Sequence, residues 1–158
     1  MKLYLALACA AALSAAGTSF AVAGGEPISG GVLGTGVLTY KHAAISLSGT
    51  NGFVMMWTKV APGASFGWHF HRRPVAVAVT AGTLTLYDSR DPNCRPSRYS
   101  AGQGFIEPAN HVHIVRNEGT KPVYLYAVYL GVPATWRKNP TPLDMFVKSP
   151  GNCPADIR

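Results

Sequence analysis

Acidic side chains are scarce in this sequence. It carries seven Asp and Glu against fourteen Lys and Arg, and charged residues make up 13% of 158 positions. That is about half the usual share, so much of the surface is uncharged polar or apolar. The net charge of +7 excludes an acidic, solvating chain. It does not make a nucleic-acid binder, because the basic residues are scattered and no Lys/Arg stripe interleaves with aromatics. Beyond the first residues there is no apolar run long enough to cross a bilayer. No stretch keeps a helical period for a useful length, which excludes a helical bundle. Cysteine is also rare, at three.

What is present begins with a leader. Lys2 is followed by an uncharged apolar run from Leu3 to Ala16, then by Ala21-Val22-Ala23, a small-x-small cleavage site. This reads as a secretory signal peptide over residues 1–23, with a secreted or periplasmic destination. Its 14 apolar residues are too few to anchor a helix comfortably across a membrane. Cys9 leaves with the leader. Cys94 and Cys153 remain, in the turn-like contexts DPNC and PGNCP. In an exported chain two cysteines most simply form one disulfide, and neither has a neighbour at metal-ligand spacing.

The remainder is the size of one domain. Residues 24–52 read as a flexible Gly/Ser-rich entry with an edge strand near 36–40. Short apolar runs follow at 53–60, 75–81, 83–88, 104–107, 113–117 and 122–130, each closed by Gly or Pro signals. Strands at that spacing predict an all-β sandwich or barrel with its core over 53–134. Residues 135–158, with prolines at 140, 142, 150 and 154, read as an extended cover held by Cys153, with a short helical turn allowed near 143–147.

Side-chain parity singles out one stretch. On a strand, His69, His71, Val75, Val77 and Val79 point the same way. His-x-His on a strand suits two ligands of one metal, but it equally suits a surface pair or two hydrogen-bonded core histidines. A second stretch, GQGFIEPANHVHIVRN at 102–117, adds a glycine, a proline six residues on, a histidine five beyond it and an asparagine four later.

Together these resemble the two motifs of the cupin superfamily, G-x5-H-x-H-x3-E-x6-G and G-x5-P-x-G-x2-H-x3-N. Gly63, His69, His71 and Gly82 match the first; Gly102, Pro108, His113 and Asn117 match the second. The resemblance covers about Val54 to Gly131 and implies a double-stranded β-helix, or jelly-roll, barrel. It also implies a metal held by His69, His71 and His113. There are two departures. Asn110 replaces a motif glycine, and Asn tolerates left-handed backbone better than other residues with a side chain. Val75 occupies the slot of the metal-binding glutamate, and no acid lies between the histidines and Asp88 to replace it.

Three imidazoles suit Zn, Fe, Mn, Cu or Ni and neutralise none of the ion's charge. Such an ion favours a small anionic or chelating ligand and acidifies bound water. Arg72 and Arg73 are placed to guide an anion, or are solvated loop residues. Glu107 is a candidate acid/base or outer partner, or an exposed strand end. His111 shares parity with His113 and is a candidate fourth ligand; His42 is too remote to place. Val75, Val77 and Phe105 are candidate pocket lining, followed by Met55, Trp57 and Trp68, all equally suited to plain core. Three functions fit: a metal-dependent oxygenase, isomerase or lyase; a non-catalytic metal- or ligand-binding cupin; and a cupin that has lost its metal. Cupins often form homodimers, though no segment here indicates one.

Overall fold

Gly/Pro punctuation and period-2 apolar runs translate into ten strands. The computed structural model describes residues 37–38, 45, 47–49, 51–154 and 156–157. The leader at 1–23, His42 and most of the 24–52 segment lie outside the described residues. The strands are β1 (Val37–Leu38), β2 (Asn51–Val60), β3 (His69–His71), β4 (Val75–Ala81), β5 (Thr83–Asp88), β6 (Ser97–Ser100), β7 (Gln103–Glu107), β8 (His113–Arg116), β9 (Val123–Pro133) and β10 (Asp144–Phe146). They form two five-stranded sheets, ordered β1-β7-β4-β9-β2 and β10-β3-β8-β5-β6. All pairings are antiparallel except β1 with β7. Among the described residues there is no helix, hence none long and apolar enough to cross a membrane.

The core lies between the sheets. Val75, Val77 and Val79 of β4 pack with Leu84, Phe105, Val115, Val123 and Leu125. Alternation puts these side chains inside, and burying each aliphatic one contributes about 1.5–3 kcal/mol before chain entropy is counted. The same alternation turns part of β2 outward. Met55 and Trp57 are 56% and 58% exposed, so neither lines the interior as their sequence neighbourhood had suggested. Trp68 is buried, but in a second cluster with Tyr87 and Ile114, where its Nε1 donates to the Ile157 carbonyl at 2.9 Å.

The motif residues that are not histidines do backbone work. Gly82 sits at φ 78°, and a Cβ there would come within 2.9 Å of Val123. Asn110 takes φ 58°, so the residue standing for the motif glycine does adopt the left-handed turn. Its amide then donates to the His71 carbonyl at 2.6 Å. Asn117 is 1% exposed, and its amide donates to the Val60 and Lys121 carbonyls at 2.9 and 2.8 Å while its oxygen accepts from Gly119 at 3.0 Å. It locks the end of β2 to the turn before β9.

Within the extended C-terminal tail, the structure differs from the sequence reading at one point. Residues 144–146 form β10 rather than a helical turn, and β10 pairs with β3 in the register Asp144↔His71, Phe146↔His69. Strand β6 is not among the apolar runs of the sequence, because its residues SRYS are mostly polar. Beyond β10, Arg116 donates to the Asp156 carbonyl at 2.9 Å, and the Cys94 and Cys153 sulfurs stand at disulfide distance with Cα atoms 5.2 Å apart. The non-reduced protein is therefore expected to show no free thiol at either position by mass spectrometry. Cys153→Ser should cost about 4 kcal/mol, the chain-entropy value for a 59-residue closure. Two free thiols, or an unchanged denaturation midpoint, would contradict this.

Candidate metal centre

Strand alternation brings two histidines to one side, and strand pairing brings the third. His69 and His71 are each 2% exposed, and His113 is 1% exposed. His69 is the direct cross-strand partner of His113. Ring centroids stand 4.8 Å apart for His69 and His71, 4.5 Å for His69 and His113, and 5.1 Å for His71 and His113. One nitrogen from each ring can be chosen such that all lie within 4.8 Å of one another.

The orientation of each ring follows from what its Nδ1 faces. His69 Nδ1 is 2.8 Å from the Gly67 carbonyl, and His113 Nδ1 is 2.8 Å from the His111 carbonyl. His71 Nδ1 is 3.1 Å from Asp144 Oδ1. Carbonyls and carboxylates only accept, so each Nδ1 carries the hydrogen and donates it. In the neutral rings, Nε2 is then left with a lone pair. The Nε2 atoms of His71 and His113 are buried and have no hydrogen-bond partner.

Glu107, the last residue of β7, is 5% exposed and not a solvated strand end. Its Oε2 lies 3.1 Å from His71 Nε2 and its Oε1 3.1 Å from His113 Nε2. These are ion-pair separations without hydrogen-bond geometry. Burial would raise the carboxyl, but the directly adjoining His113 and His71 rings outweigh it and hold it at about 2. Burial pulls His71 down, and the Asp144 and Glu107 carboxylates outweigh that and lift it to about 9. His69 is lowered, by burial first. In the metal-free site a proton held on His71 answers the Glu107 carboxylate, and an ion bound by the three imidazoles would take that proton's place. The donor set therefore fits a divalent transition metal, with His69, His71 and His113 positioned to bind it.

His111 does not join the three. Its Nε2 is 2.6 Å from Asp88 Oδ1, and Arg90 Nη2 donates to its Nδ1 at 3.1 Å. Both nitrogens are spent, and only its carbonyl serves the site. Val77 and Phe105 line a cavity of about 30 Å³ together with His69, His71 and Glu107. That is room for one or two waters. Val75 is 1% exposed and packs in the core rather than on this cavity. Arg72 and Arg73 are exposed and line a second cavity of about 160 Å³ with His71, Tyr129 and Leu143.

Two residues escaped the sequence reading. Asp144 lies far along the chain from His71, and only the β10–β3 pairing brings them together; nothing local marks it. Tyr129 donates to Asp144 Oδ1 at 3.1 Å and sets its ring edge-on to His71 at 5.3 Å. Its parity with Val123, Leu125 and Ala127 was a usable signal. Asp144 should act by fixing the His71 ring. Asp144→Ala should fold yet bind Zn(II) about 10–100-fold more weakly, as loss of an outer partner does. Competition with a chromophoric chelator measures this, and unchanged affinity would remove Asp144 from the site.

The cupin domain family model matches residues 56–129. Among solved structures the chain is similar to one from Bacillus halodurans, with 22% identity over 50% of this chain and 62% of that one, at a TM-score of 0.46. It is also similar to a Cupin 2 conserved barrel domain protein from Salinispora arenicola, with 26% identity, 54% and 68% coverage and a TM-score of 0.45. A DMSP lyase from Ruegeria pomeroyi aligns with a TM-score of 0.50 at 13% identity, covering 64% of this chain and 48% of the lyase. The chain thus spans less than two thirds of the first and last of these proteins. No curated protein matches it.

Proposed function

Since the chain belongs to the cupin superfamily, we propose that it is an exported metal-binding cupin. His69, His71 and His113 hold a divalent transition metal, Zn, Fe, Mn, Cu or Ni, and a small anionic or chelating ligand occupies the remaining positions. The observation that carries this reading is the convergence of three buried imidazoles whose Nδ1 atoms are all turned away onto acceptors. When bound, the ion supplies Lewis acidity. The chain's own residues supply orientation and dryness. Gly67, His111 and Asp144 fix the rings, Val77, Phe105 and Leu125 exclude water, and Arg72 and Arg73 draw an anion toward the His71 side. Export rests on the leader and on the cysteine pair at disulfide distance.

Turnover of such a ligand would make the protein a metal-dependent oxygenase, isomerase or lyase. The second reading is a binding protein that holds the same ligand without turnover. Oxygen uptake and product formation with small chelating anions separate the two.

Elemental analysis of protein purified without added metal should find one transition metal per chain, and His113→Ala should abolish it. Metal-free native protein and an unaltered variant would defeat the proposal. Occupancy should also fall between pH 8 and pH 5, because a ligating imidazole must be unprotonated. In the metal-free site His71 holds its proton up to about 9, so protons compete over the whole interval and do so harder as pH drops. Flat occupancy across that range would point to a different ligand set.

A further inference from the structure

The first cupin motif places a glutamate where this chain has Val75, which leaves a three-histidine set without its carboxylate. We propose that Glu107 supplies that carboxylate from the neighbouring strand and is the fourth protein ligand of the metal. This rests on the three-histidine reading above and goes beyond it.

Three observations carry the inference. The first is register. Val75 of β4 and Glu107 of β7 are direct antiparallel partners. Directly opposed residues project from the same face of a sheet, here the barrel interior, where both are buried. A carboxylate moved across this pair stays at the same depth in the barrel and is displaced sideways by one strand spacing, about 5 Å. The longer reach of a glutamate along the sheet covers much of that.

The second is distance. Both Glu107 oxygens approach ligand nitrogens at 3.1 Å, one to His71 and one to His113. Neighbouring ligands on an ion with bonds of about 2.1 Å stand about 3.0 Å apart at right angles and about 3.4 Å apart in a tetrahedron. The contacts therefore have the edge length of a coordination polyhedron. They lack hydrogen-bond geometry, as the partnerless Nε2 atoms of His71 and His113 show.

The third is the absence, among the described residues, of an Arg or Lys partner for this group. Its ion-pair partners are His71 and His113. A carboxylate buried to this degree is costly without a compensating charge, which a protonated His71 supplies in the metal-free site and the ion in the loaded one. A metal held by the three histidines is adjacent to both of its oxygens. Together the four groups form a set of three neutral donors and one anion, which favours harder ions such as Mn(II) and Fe(II) more than three imidazoles alone do.

The test is the affinity of the full mature protein for Mn(II) and Cu(II), each added alone, with Mn(II) binding followed by electron paramagnetic resonance. Glu107→Gln keeps the shape and removes the charge. It should lose Mn(II) affinity by about 100-fold or more, at or beyond the upper range for an outer partner, while Cu(II) stays bound to the three imidazoles. The exchange variant V75E/E107V, which returns the carboxylate to the motif position, should recover Mn(II) binding. It also keeps the question answerable if Glu107→Gln does not fold. Mn(II) affinity of Glu107→Gln within about threefold of the parent would overturn the inference. So would an equal, modest weakening of both metals, which marks a group acting through the histidines. Failure of the exchange variant to bind Mn(II) while still binding Cu(II) would count against it too. If the parent itself binds neither ion, the three-histidine reading falls first, and the inference with it.

Discussion

The structure depends on one requirement: polar groups buried in an apolar barrel must each be answered. His69, His71, His113 and Glu107 are all nearly inaccessible. Burying them unpaired would cost several kcal/mol per charge. On the outer side the chain answers it by committing every Nδ1 to a carbonyl or carboxylate. On the inner side, the Nε2 atoms of His71 and His113 and the Glu107 oxygens face one another. Three histidines held this way on the outer side are positioned to bind an ion on the inner side.

That arrangement is held by residues with no chemistry of their own. Asn110 accepts a left-handed backbone and ties the turn before β8 to the His71 carbonyl. Asn117 spends both ends of its amide on three backbone groups, one at the end of β2 and two in the turn before β9. The Asn110 bond helps set β3 beside β8, where His69 pairs with His113. Rigid strands suit the task, because ligand positions must hold to within about 0.5 Å.

The C-terminal segment couples to the same centre. By adding β10 to the edge of β3 it covers an otherwise open strand edge, brings Asp144 to His71, and closes one side of the site with Leu143. The Cys94–Cys153 pair holds the chain shortly beyond that strand. The cysteines themselves lie in a separate cluster with Trp68 and Ile114.

The sequence by itself determined the all-β class, the strands carrying strict alternation, the cysteine pair and the identity of the three histidines. Each of these is written in local spacing: period two along a strand, glycine or asparagine where the backbone turns left-handed, two motifs in order. It misplaced Met55 and Trp57, because parity within β2 does not say which face is inward until β2 is set beside β9. It left His111 open, because only its contacts with Asp88 and Arg90 take it out of the site. The tertiary structure alone decided the setting of Glu107 and the arrival of Asp144. Both depend on strand register between segments distant in sequence, β7 against β4 and β10 against β3. Register is an energetic outcome of packing whole faces together, and no local pattern encodes which residue will stand opposite which.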